Sequence, residues 1–193
     1  MSLSIDEIKA NWSMYSDLLR RLSDSNVNDL LDSIGKKIVD CPFSTRVDYG
    51  WCYPGGLVEH SLLVASKMRL INDALKYNAP VASILKSALL HDIGKTGDDE
   101  LYFVEETSDW HREKLGQNYK INEKIDKMSL SHRSLFILQS HGVSLEREEW
   151  LAIQIATGSH FEENRFYVGS EPTLALLLQQ AKAHAFHELK SKV

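Results

Sequence analysis

The sequence predicts a single all-α domain built as a helical bundle. Apolar residues recur at helical spacing in most segments, whereas the alternation typical of strands is almost absent. A length of 193 residues suits one domain with a hydrophobic core, and no repeat or linker divides the chain. We therefore expect one domain over residues 1–193, with N-terminal helices in residues 1–40 and a core in residues 41–190.

The composition narrows the classes of function. The chain has 43% hydrophobic and 25% charged residues, as in an ordinary folded domain, and a formal net charge of -5. This acidic balance gives no overall attraction to nucleic acid or to an anionic membrane. The N-terminus lacks a signal-peptide pattern, no apolar run is long enough to span a bilayer, and the two cysteines form no disulfide pattern. A soluble, cytoplasmic protein is expected.

Caps and chain breakers predict the helix boundaries in the first half of the chain. Ser4 and Glu7 stand three residues apart, as in a capping box. Glycine and proline are concentrated between residues 41 and 56, which indicates a shaped loop. The expected elements are a helix from residue 4, a helix over residues 27–39, a long helix from residue 57 and a helix that begins at Pro80 and ends at Gly94.

The second half of the chain begins with a polar segment. Residues 96–131 are only weakly periodic and predict a long connection, with one short helix over residues 110–115 and a brief strand at residues 101–105. Helices are then expected over residues 134–140 and 146–156. A last helix is expected to start after Pro172.

Three side chains form the strongest candidate for a chemical site. His91 and Asp92 close the helix that starts at Pro80, and His60 lies early in the helix before it. An adjacent imidazole and carboxylate can hold a divalent metal from one backbone segment, with His60 as a third ligand. Mixed nitrogen and oxygen ligands suit Mn, Fe, Zn or Mg, and such a metal activates water for phosphoester hydrolysis. The plainer alternative is that His91 and Asp92 only cap the helix.

Two motifs resemble a known family. GGLVEH at residues 55–60 and LLHDIGK at residues 89–95 are similar to the opening motifs of the HD superfamily of metal-dependent phosphohydrolases. The resemblance implies an HD-type bundle, with His60, His91 and Asp92 as metal ligands and with Asp92 and Lys95 as catalytic residues. Lys95 matches a lysine that contacts substrate phosphate in some branches. The segments SDWHREKLGQNYKIN, RSLFILQ and EEWLAI are similar to HD proteins of bacteriophage genomes.

The chain departs from the family pattern at positions that would complete the metal site. Lys182 stands where the family has a closing Asp ligand, and Ala156 begins an Ala-Thr-Gly segment where phage-type relatives have His-Asp-Gly. Some branches also have a His where this chain has Gly50 and Trp51. A protonated lysine cannot bind metal, so weaker metal affinity is expected. The Lys182 ammonium could instead pair with Asp92, or contact a substrate phosphate.

Several other residues have two interpretations. Arg46 is equally well explained as a phosphate contact or as a surface arginine. Trp51 and Tyr53 could stack on a base, although aromatic residues between glycines more often pack a loop. Some histidines could extend the metal site, although a surface or hydrogen-bonded role is favoured for each. These are His132, His141, His160, His184 and His187.

Two functions remain open from the sequence. The first is a metal-dependent phosphohydrolase that acts on a nucleotide or another small phosphoester. The second is a degenerate HD fold, without a metal, that serves as a binding, regulatory or structural module in a larger, phage-type assembly in the host cytoplasm. The expected ligand is a small phosphorylated molecule. Nucleic acid and membrane partners are not expected, and a homo-oligomer or a protein partner stays open.

Overall fold

The computed structural model describes residues 3–158 and 161–191, and within them the regular secondary structure is almost entirely helical. The all-α prediction is confirmed. The α-helices in these residues are α1 (Ile5–Arg20), α2 (Ser25–Asp40), α3 (Gly56–Leu75), α4 (Val81–Leu90), α5 (Asp109–Leu115), α6 (Leu130–Ser140), α7 (Arg147–Gln154) and α8 (Thr173–Ser191). Short 3-10 helices cover Val47–Tyr49, Ile93–Thr96 and Glu162–Tyr167.

Side-chain caps determine where the first two helices begin. The Ser4 hydroxyl accepts a hydrogen bond from the Glu7 N–H, and the Glu7 carboxylate accepts one from the Ser4 N–H at 2.7 Å, so the expected capping box is confirmed. Helix α2 begins at Ser25, earlier than the sequence predicts, because the Asp24 carboxylate caps its first turn. It ends at Asp40, shortly before Pro42.

Helix α3 lies at the centre of the fold. It packs most extensively against α8 and α4, while α7 packs against α8 and the α1–α2 pair covers α3 and α4. The apolar faces of these helices form one continuous core, whose burial is the main stabilising contribution. No helix in the described ranges combines the length and apolar character needed to cross a membrane.

Several helix boundaries differ from the sequence prediction. Helix α4 ends at Leu90 instead of Gly94, and a separate 3-10 turn carries Gly94. Helix α6 begins at Leu130, four residues early, because the Ser129 hydroxyl accepts a hydrogen bond from the His132 N–H and caps it. The early start of α6 arises from a single side-chain cap, which apolar periodicity does not reveal.

The polar connection forms a small hairpin. Strand β1 (Phe103–Glu105) pairs antiparallel with β2 (Tyr119–Ile121), so the brief strand expected near residue 103 is confirmed and its partner strand was missed. Arg133 of α6 is fully buried and contacts the polar connection that follows residue 96. Its guanidinium pairs with the Asp98 carboxylate and donates to the Asp126 carbonyl.

Candidate metal centre

The His91–Asp92 doublet is held in place by helix α6. The Ser134 hydroxyl donates to the His91 carbonyl at 2.8 Å and accepts from the Gly94 N–H at 2.9 Å. A Cβ atom on Gly94 would lie 2.6 Å from the Leu130 carbonyl oxygen, closer than van der Waals contact permits. The turn after α4 can therefore approach α6 only because residue 94 is glycine, and Ser134 fixes the orientation of the doublet.

The start of helix α3 positions His60. Gly55 has a φ of +85°, and a Cβ atom on Gly56 would lie 2.1 Å from the Trp51 carbonyl oxygen, so the glycine pair lets the loop fold tightly onto the helix. The His60 ring is fully buried in an aromatic cage formed by Phe43, Trp51 and Phe186. It stacks on Phe43 with 3.7 Å between ring centroids.

His60, His91 and Asp92 meet in one buried cluster, here called the ligand cluster. One nitrogen or oxygen atom from each lies within 4.8 Å of the others. Among the His, Cys, Asp and Glu residues that the structure describes, no other group has this arrangement. The sequence prediction that these three residues lie together is thus confirmed, whereas their binding of a metal stays a prediction.

The buried ring nitrogens of the two histidines show whether the ligand cluster suits a cation. The Ala88 carbonyl lies 2.9 Å from Nδ1 of His91, so Nδ1 carries the proton and Nε2 has a free lone pair. That lone pair lies 3.4 Å from Oδ2 of Asp92 and makes no hydrogen bond. Both ring nitrogens of His60 are buried without a partner as well. A buried nitrogen without a hydrogen-bond partner costs about 1–3 kcal/mol of folding free energy. A divalent ion would bind the ring nitrogens of His60 and His91 that face Asp92.

Electrostatics keeps these groups in the protonation states that bind metal. Burial lowers the pKa of His60 well below its usual value and also lowers the pKa of His91, so both rings are neutral near pH 7. Burial alone would raise the pKa of Asp92, but the Lys182 and Lys95 ammonium groups hold that pKa well below its usual range. Two neutral imidazoles and one carboxylate fit a divalent Mn, Fe or Zn ion.

Two lysines contact the same carboxylate. Nζ of Lys95 lies 3.3 Å from Oδ2 of Asp92, donates to the Phe43 carbonyl at 2.9 Å and sits 3.1 Å from the centroid of the Phe43 ring. Nζ of Lys182 lies 3.7 Å from Oδ1 of Asp92 and donates to the Ala156 carbonyl at 2.9 Å. The pairing of Lys182 with Asp92, one of the two alternatives that the sequence left open, is present in the structure.

Arg46, which the sequence offered as a phosphate contact, contacts residues outside the ligand cluster. Its guanidinium donates two hydrogen bonds to the Asp48 carboxylate, at 3.0 and 2.8 Å, and lies 4.9 Å from the centroid of the Tyr49 ring. No contact in the described residues joins it to the ligand cluster. Its role with phosphate stays a prediction and would require it to leave Asp48.

The two aromatic loop residues pack instead of facing open space. Trp51 is 3% exposed and meets the His60 ring edge-on, so it is not available to stack on a base. The Tyr53 hydroxyl donates to the Glu59 carboxylate at 2.8 Å. The packing interpretation is therefore correct for Trp51.

The remaining histidines lie away from the ligand cluster. His132 contacts Ser129 and Gln154, and Nδ1 of His141 lies 2.9 Å from the Ile137 carbonyl. His184 and His187 are exposed on the other side of α8, beside Lys67. His160 lies outside the described residues. None of the described histidines other than His60 and His91 joins the cluster.

A cleft opens beside Lys95, and the sequence prediction missed most of its lining. Its volume is about 510 Å³, and it is lined by Phe43, Ser44, Asp48, Tyr49, Lys95, Phe186 and Lys190. Lys182, Phe186 and Lys190 follow at intervals of four residues, so they share one face of α8. That spacing is the sequence signal that could have identified Phe186 and Lys190.

Comparison with known proteins agrees with this geometry. A family model described as HD domain matches residues 57–185, which is more than half of the chain and spans α3 to α8. No curated protein and no solved structure gives a match. The match contains His60 and the His91–Asp92 doublet. The chain therefore belongs to the HD-domain family.

Proposed function

We propose that this protein is a metal-dependent phosphohydrolase that acts on a nucleotide or another small phosphoester. One observation carries the proposal: the free lone pair of His91, the unpartnered ring of His60 and the Asp92 carboxylate converge in one buried cluster. Family membership supports the reaction class, because the HD domain is associated with metal-dependent phosphohydrolysis.

Each residue of the site has a physical role in this proposal. His60, His91 and Asp92 would hold a divalent ion, which when bound supplies Lewis acidity that activates water and polarises a phosphoryl oxygen. Lys95 borders both the ligand cluster and the cleft, so its ammonium can attract a phosphate that enters from the cleft. The aromatic cage excludes bulk water from His60 and strengthens the electrostatic contacts there.

The test is phosphate release from a panel of nucleotides and small phosphoesters, with added Mn²⁺ and in EDTA. We expect release that depends on the metal and that His91→Ala abolishes. His111→Ala is the matched control, since His111 lies by the Glu106 carboxylate in the polar connection, and it should keep full activity. Equal activity in EDTA, or an active His91→Ala variant, would contradict the proposal.

A second candidate function is favoured by the Lys182 contact. The ammonium near Oδ1 of Asp92 could replace the metal's charge, and the chain would then bind a phosphorylated ligand without cleaving it. Such a module could serve in a larger assembly, including one of a phage. Inorganic phosphate that binds in EDTA, without any turnover when Mn²⁺ is added, would favour this candidate over the phosphohydrolase.

A further inference from the structure

The ligand cluster and the two lysines that contact Asp92 together carry more positive than negative charge. The Lys95 and Lys182 ammonium groups both contact the one carboxylate of Asp92. These three charged side chains together have a net charge of one positive unit. A divalent ion would add two more positive charges in a region where His60 and His91 are fully buried. This accumulation opposes metal binding unless an anion accompanies the metal.

The two lysines differ in how firmly they are held. Lys95 is fixed by the Phe43 carbonyl, by the face of the Phe43 ring and by Asp92. Lys182 also donates to a carbonyl, that of Ala156 at 2.9 Å, but it is more exposed, at 15% of its side chain, and its 3.7 Å separation from Oδ1 of Asp92 is longer than a hydrogen bond. Lys182 is thus the cation that can exchange its partner at the least cost.

We propose that Lys182 makes the binding of metal and phosphate cooperative in this protein. A phosphate group that enters beside Lys95 offers oxygen atoms to the Lys182 ammonium, which then leaves Asp92. Oδ1 of Asp92 becomes free for the metal, and the phosphate balances the added charge. This inference rests on the proposed metal site. It states that Lys182 makes metal binding at that site depend on bound phosphate.

The experiment is equilibrium dialysis of the whole protein with Mn²⁺, with and without inorganic phosphate. Free Mn²⁺ is measured in the protein-free compartment, so that its complexes with phosphate are accounted for. We expect phosphate to tighten Mn²⁺ binding about tenfold or more, and Mn²⁺ to tighten phosphate binding by the same factor, since coupling is reciprocal.

Two variants assign the coupling to the Lys182 charge. Lys182→Met keeps the length of the side chain without its charge; it should bind Mn²⁺ more tightly alone and lose most of the coupling. Lys182→Arg keeps the charge and should keep the coupling, which also guards against a folding defect in the first variant. Lys190→Met is the matched control, because Lys190 lies two turns further along the same face of α8 and lines the cleft.

The outcomes separate this inference from the proposed function. Mn²⁺ binding that is unaffected by phosphate would overturn the inference and leave the phosphohydrolase proposal intact. Coupling that survives in Lys182→Met, or is equally lost in Lys190→Met, would overturn the assignment to Lys182. Failure to bind Mn²⁺ under both conditions would contradict the metal site and the inference together.

Discussion

The ammonium group of Lys182 in α8 lies 3.7 Å from Oδ1 of Asp92, a residue that follows the end of α4. The other oxygen of the same carboxylate lies 3.3 Å from Nζ of Lys95. Asp92 is 4% exposed, so one buried carboxylate balances two cations that come from different elements of the fold. The stability of the bundle and the metal affinity of the site therefore depend on the same three charges.

Removing the Asp92 charge should destabilise the fold strongly. Asp92→Asn leaves Lys95 and Lys182 without their shared anion, and breaking a buried ion pair costs about 3–5 kcal/mol. Urea unfolding of the metal-free protein measures the loss. Asp48→Asn, which breaks the more exposed pair with Arg46, should cost under about 1 kcal/mol. A loss below about 1 kcal/mol for Asp92→Asn would show that the lysines do not depend on this carboxylate.

The metal-free protein should lose stability as the pH falls below neutrality. Burial lowers the pKa of His60 and of His91, whereas in the unfolded chain both titrate near about 6.5. Below that pH the unfolded chain binds protons that the folded chain does not. The free energy of unfolding should therefore fall with decreasing pH, by up to about 1.4 kcal/mol per pH unit for each imidazole.

Urea titrations at pH 7.5, 6.0 and 5.0 test this dependence. His60→Phe keeps an aromatic ring inside the aromatic cage and removes the imidazole. It should therefore reduce the slope of the unfolding free energy against pH. The exposed control His184→Ala should leave the slope nearly unchanged. A slope that His60→Phe does not alter would contradict the buried, neutral state of this ring.

Replacing Lys182 with an acidic residue should strengthen metal binding. Lys182→Asp removes one positive charge and adds a carboxylate on the face of α8 that meets Asp92. We expect the dissociation constant for Mn²⁺ to fall about tenfold or more, equivalent to at least about 1.4 kcal/mol. Isothermal titration calorimetry measures it, with Lys190→Asp as the control on the same helix face. Equal gains in both variants would mean that Lys182 has no special position.

The hydroxyl of Ser134 should stabilise the turn that bears the doublet. Ser134→Ala leaves the Gly94 N–H unpartnered in a buried place, at a cost of about 1–3 kcal/mol in unfolding free energy. It should also weaken Mn²⁺ binding, because the orientation of His91 is lost. Ser140→Ala is the control on the same helix, since its hydroxyl bonds within α6 at the surface. Similar effects of the two variants would contradict this role.

The sequence predicted the parts of the fold that depend on local patterns. The Ser4 capping box, the long helix after the glycine pair and the short helix near Trp110 are signalled by adjacent residues, and each is present. The ligand cluster was also predictable, because GGLVEH and LLHDIGK are adjacent-residue motifs that resemble those of the HD superfamily, and Gly56 and Gly94 in them lie where the chain packs closely on the Trp51 loop and on α6.

Features that depend on distant contacts were not predictable in the same way. Strand β2 is only three residues long, too short for its alternation to predict a strand, and it is stabilised by its pairing with β1. The partners of Arg46 are set by a loop whose backbone bridges to Gln117, far along the chain. Phe186 enters the aromatic cage only when α8 packs on α3, so its role follows from tertiary structure.

The central claim is that His60, His91 and Asp92 hold a divalent ion, and metal content tests it most directly. The purified protein would be dialysed against Mn, Fe, Zn and Mg in the presence of phosphate, then against metal-free buffer, and measured by mass spectrometry. The account predicts about one ion per chain, lost in His91→Ala and kept in His111→Ala. No retained ion, or equal retention in both variants, would contradict it.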